Sequence, residues 1–109
     1  MSQSYPANIV EVLVNASKLF SGRLSSEDKE THIETVLFAM QNLDNGEVTQ
    51  WHNTKDKTSG FIKIILTRPV QGGYCREFFS RINKDGSYKD YHESGCRTID
   101  SQFWTFSGQ

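Results

Sequence analysis

At 109 residues, with 36% hydrophobic side chains, the chain has room for one domain with a modest core. Its 12 basic and 13 acidic residues are interspersed, for a net charge of −1. This excludes the clustered Lys/Arg footprint of a nucleic-acid-binding protein. No apolar run approaches the roughly 20 residues that a membrane-spanning helix requires.

The chain divides into a helical front over residues 1–45 and a β region over 46–107, within a single domain spanning 1–109. Ile9, Val12, Leu13, Ala16, Leu19 and Phe20 recur at helical spacing, which predicts an amphipathic helix over 7–20. Pro6 suits its first turn and Gly22 its end. Ser25 and Ser26 precede Glu27 and Asp28, so a Ser N-cap with acids in the first turn starts a second helix. The stripe of Ile33, Val36, Leu37 and Met40 carries it over about 26–42. Asp44-Asn45-Gly46 follows, with Asn or Gly available for a left-handed cap.

From Glu47 the period changes to two. Val48–Thr54 reads as a strand, Lys55–Gly60 as a polar turn, and Phe61–Thr67 as the strongest strand, β-branched and continuous. Arg68-Pro69 is expected to end that strand, because Pro has no N–H for the ladder. Tyr74–Asn83 and Ser87–Thr98 form two arms around Asp85-Gly86, and Phe103–Phe106 makes a short last strand. The expected fold class is α+β: two N-terminal helices packed on an antiparallel sheet of about five strands, with one disulfide-linked hairpin.

The two cysteines, Cys75 and Cys96, flank that Asp-Gly turn. If Asp85 and Gly86 are its two central residues, Lys84 faces Ser87 and Cys75 faces Cys96 in a non-hydrogen-bonded pair. Such pairs bring Cα atoms to about 4.5 Å, within disulfide range. The same register sets Arg81 opposite Asp90, a cross-strand ion pair, and puts Phe78 and Phe79 on opposite faces. Two alternatives stay open: a bulged turn that slips the pairing by one residue, and two reduced cysteines buried as small apolar residues.

Signals for catalysis are weak. His32, His52, His92, Cys75 and Cys96 show no C-x-x-C, H-x-x-x-H or H-E-x-x-H spacing, so no metal or cofactor is expected. A Cys-His nucleophile can be written on paper, but a reactive thiol needs a low-pKa setting and a base in reach. Arg76 and Arg97 are candidate carboxylate or phosphate ligands, and Trp51 and Trp104 candidate binding surfaces. Against this stands packing of the arginines over a Trp, or pairing with Glu77, Glu93 or Asp100.

Trp51-x-Asn53, Gly60, Cys75-Arg76, Cys96-Arg97 and Trp104 together resemble the C-terminal domain of the bacterial 17 kDa surface antigen family, over about residues 38–106. Phe103 stands where that family usually has a Gly, and the chain carries no lipobox cysteine or glycine zipper. The resemblance implies a small outer-membrane or periplasmic, lipoprotein-like domain with no enzymatic activity and a protein or cell-envelope partner. The N-terminus lacks the basic and apolar regions of an export signal. The expectation is therefore that Met1 begins a shortened chain whose signal has been removed. The competing expectation is a cytosolic or phage-encoded accessory protein that binds a partner through the 7–20 helix.

Overall fold

The computed structural model describes residues 24–101 and 103–108. The helix expected over 7–20 lies outside the described residues. Within them one helix, α1 (Ser26–Asn42), is followed by five strands: β1 (Val48–Asn53), β2 (Thr58–Val70), β3 (Gly73–Lys84), β4 (Ser87–Thr98) and β5 (Thr105–Gly108). The strands form one antiparallel sheet in the order β1-β2-β3-β4-β5, each paired with its neighbour in sequence. The α+β expectation is met, with one helix on the sheet among the described residues.

Helix α1 starts where its caps predict. Ser25 is extended and its hydroxyl accepts from the Asp28 amide at 3.1 Å, with Glu27 and Asp28 in the first turn. The expected left-handed cap is absent: Leu43 leaves the helix in extended conformation. The positive φ falls instead at Gly46, +90°, in the turn that feeds β1.

At the hairpin the direct register holds throughout. Asp85 and Gly86 have φ of +53° and +83°, a two-residue turn with both central residues left-handed. Lys84 pairs with Ser87, Arg81 with Asp90, Phe79 with His92 and Cys75 with Cys96. The cysteines form the disulfide, with Cα atoms 4.0 Å apart.

Residues opposite one another on neighbouring strands share a face. The inner face carries Trp51, Ile62, Ile64, Phe78 and Phe106, and α1 lies on it through Ile33, Val36, Leu37, Ala39 and Met40. The outer face carries Phe61, Phe79, Arg81, Asp90, His92 and the disulfide. Among the described residues no helix covers it.

Strand β2 departs from expectation at two points. It runs on through Pro69 to Val70: β1 pairs with it as far as Lys63, Gly46 and Glu47 bond to Ile64, and past Ile64 no strand among the described residues pairs with that side of β2. A proline is tolerated where its missing N–H faces no partner strand. The ladder also shifts between Ile64 and Leu66, leaving Ile65 as an extra residue. Ile62 and Ile64 are inner, yet Leu66, Arg68 and Val70 oppose Glu77, Cys75 and Gly73 and so are outer, while Thr67 turns inward opposite Arg76. One inserted residue thus moves the end of β2 onto the other face.

Candidate functional site

Several of the residues singled out by the sequence hold α1 to the sheet. Trp51 and Asn53 are two apart on β1 and both point inward. The Trp51 indole N–H donates to His32 Nδ1 at 3.0 Å, and the Asn53 amide donates to Asp28 Oδ1 at 2.7 Å and Glu27 Oε1 at 3.2 Å. Asp28 and His32 lie one turn apart on α1, so a period of two on the strand meets a period of about four on the helix. Gly60 makes room for the indole: a Cβ there would sit 2.8 Å from Trp51 Cε2. Burial pushes the His32 imidazole down to about 4, which keeps it neutral as an acceptor.

Arg76 grips the other end of the helix. Its Nη1 donates to Met40 O at 2.9 Å and Ala39 O at 3.4 Å, its Nη2 to Leu43 O, and its Nε to Thr67 Oγ1 at 2.8 Å. A buried cation on the last carbonyls of α1 satisfies acceptors the helix leaves open and meets the negative end of its dipole. Arg97 lies with its guanidinium carbon 5.7 Å from the centre of the Trp104 ring, one of the packing arrangements weighed above. Trp51 and Trp104 are 6% and 1% exposed, so neither offers a ring face to solvent. Arg76 and the two tryptophans are occupied within the fold.

The outer face is the surface these contacts leave over. Arg81 forms a two-pronged pair with Asp90, at 2.6 and 3.0 Å, and holds the Asp90 carboxyl below its ordinary range. The same guanidinium stacks 4.2 Å from the Tyr88 ring centre and 5.7 Å from that of Phe61. Phe61 and Phe79 meet with ring centres 5.9 Å apart, and His92 lies 3.3 Å from Glu77. At the disulfide end of this face lies a hollow of about 220 Å³. Val70, Phe103 and Cys96 give it apolar walls, Thr98, Ser101 and Thr105 give it hydroxyls, and Arg97 lines it as well. Arg68, opposite Cys75, stands in the same row of the outer face as Cys96 and Thr105.

Sequence reasoning reached Cys96 and Arg97 but missed the rest of the hollow. Val70 comes to it only through the bulge at Ile65. Thr98, Ser101, Phe103 and Thr105 come together through the turn after β4, where the Ile99 amide donates to Gly72 O at 2.9 Å. No spacing in the chain signals either event.

Glu93 is 2% exposed on the inner face, neither of its oxygens has a hydrogen-bond partner, and burial pushes its carboxyl up to about 7. Ser80 Oγ is likewise buried and unbonded. At the start of α1, burial and then a hydrogen bond with Asp56 push Asp28 up, and Asp56 is pushed down by that bond. Among the described residues no three His, Cys, Asp or Glu side chains converge as metal ligands. No helix among them is long and apolar enough to cross a membrane. No family model, curated protein or solved structure matches this chain.

Proposed function

We propose that the protein is a non-enzymatic binding domain of the bacterial cell envelope, periplasmic or outer-membrane associated, built like the C-terminal domain of the 17 kDa surface antigens and acting through protein or cell-wall contacts. The observation that carries the reading is the Cys75–Cys96 bridge between adjacent strands in the sheet. Such bridges persist in oxidising compartments and are rare where thiols are kept reduced. The reading draws further support from the residues that suggested the family, since Trp51, Asn53, Gly60 and Arg76 act together to dock one helix on the sheet. The face opposite that helix, with its stacked Arg81 and the hollow, is the contact surface in this reading.

The test is a thiol count on protein trapped with an alkylating reagent in the cells that make it, combined with fractionation. No free thiol and recovery with the envelope are expected. Two alkylated cysteines and recovery with the cytosol would overturn the reading in favour of an intracellular accessory protein.

A further inference from the structure

We propose that the hollow is the route by which a low-molecular-weight thiol reaches the bridge, that Cys96 is the sulfur it takes, and that Cys75 is the thiol that closes the bridge again. The two cysteines are unequal in access. Cys75 is 4% exposed, whereas Cys96 is partly exposed and lines the hollow. Gly73 leaves the middle of the neighbouring row without a side chain, between Val70 and Thr98, which both line the hollow. Where two sulfurs share a bond, access decides which one a thiolate attacks.

Direction sharpens the difference. A thiolate displaces a sulfur along the S–S axis, approaching from the side away from the leaving sulfur. Across the outer face this row runs Arg68, Cys75, Cys96, Thr105. Attack on Cys96 comes from the Thr105 side, and Thr105 is a small side chain that itself lines the hollow. Attack on Cys75 comes from the Arg68 side, toward a residue that solvent hardly meets. At about 220 Å³ the hollow is smaller than the roughly 300–1,000 Å³ of sites that enclose a whole ligand, so it takes in the thiol-bearing end alone.

The step needs no oxidant. The attacking thiolate forms a bond to Cys96 Sγ and the Cys75–Cys96 bond breaks. Its electron pair leaves on Cys75 Sγ, which takes up a proton from water. The products are a mixed disulfide on Cys96 and a free Cys75 thiol. With the two Cα atoms 4.0 Å apart in the sheet, Cys75 stays within reach of Cys96 and reverses the step, expelling the small thiol.

The inference holds in whatever compartment the protein resides, so it and the envelope reading can fail separately. The oxidised full chain is incubated with reduced glutathione at about pH 8, where thiolate is present. Acid then protonates the thiolates and stops exchange, and mass spectrometry of the digest locates the adduct. Glutathione is expected on Cys96 at least about tenfold more often than on Cys75, at a rate proportional to its concentration. Thr105→Trp puts a large ring opposite Cys96 at an exposed position, and Thr98→Trp does so at another exposed wall of the hollow. Each variant that melts like the parent should react about fivefold more slowly or less. Gln50→Trp, an exposed position on β1, should leave the rate unchanged. An adduct shared evenly or favouring Cys75, no adduct on the folded protein, or a rate set by unfolding and independent of glutathione would each overturn the inference. Parent rates in both hollow-filling variants would do the same.

Discussion

The two faces of the sheet are made from the same strands and carry opposite kinds of side chain. The inner face is closed by α1 and holds Phe78, Ile62, Ile64 and the Trp51 indole. The outer face, one residue out of phase on every strand, holds the Arg81–Asp90 pair, His92, Glu77 and the half-buried Phe79. Stability concentrates on the first, because the covered face removes more apolar surface from water, and the second is the contact surface in the proposed reading. Arg76 and Arg81 make the same point with one residue type. The inner arginine spends its donors on helix carbonyls, and the outer one is stacked and paired in the solvent.

The sharpest way to break the comparison is to truncate the adjacent phenylalanines. Phe78→Ala should cost about 3–5 kcal/mol, since a ring that is 1% exposed leaves a cavity under α1. Phe79→Ala should cost about 1 kcal/mol. Urea unfolding of both variants measures the ratio, and equal losses would mean that the outer face is as well covered as the inner.

Next in size is Arg76→Met, which should lose on the order of 2–3 kcal/mol by leaving the Met40 and Leu43 carbonyls without donors. The loss should appear first as faster amide exchange in the last turn of α1. Uniform destabilisation with no local effect there would argue against a capping role.

Glu93 gives the inner face a pH dependence. Its carboxyl is raised from 4.5 to about 7, so the folded protein holds a proton that the unfolded chain has released. The stability this contributes is complete below about pH 4.5 and is lost as pH rises through about 7, a fall on the order of 2–3 kcal/mol. Glu93→Gln should flatten that fall in thermal melts taken between pH 4.5 and 8.5. An unchanged slope would assign the dependence to another group.

The smallest effect belongs to the outer pair. A double-mutant cycle on Arg81→Ala and Asp90→Ala should show weak coupling that disappears in 1 M salt, because both groups face water. Coupling that survives salt would mark that face as more enclosed than its neighbours suggest.

Local rules were enough for much of this. Ser25 with two following acids set the helix start, and the stripe from Ile33 to Met40 set its buried side. Asp85-Gly86 fixed the hairpin register, and with it the disulfide, the Arg81–Asp90 pair and the facing of Phe78 and Phe79. A two-residue turn leaves no freedom in how the arms pair, which is why counting outward from it succeeds over twelve residues of each arm.

Tertiary structure decided the rest. The bulge at Ile65 lies within a continuous strand-forming run, and it took Leu66, Arg68 and Val70 to the outer face, while β2 continues past Pro69 along an edge that no strand among the described residues pairs. The helix end that Arg76 caps is 36 residues distant in sequence from it, and the turn after β4 is tied to the β2–β3 turn by the bond from the Ile99 amide to Gly72 O. Each of these depends on which backbone groups remain unpaired after the strands have met. That is a property of the assembled sheet, and no local pattern in the chain encodes it.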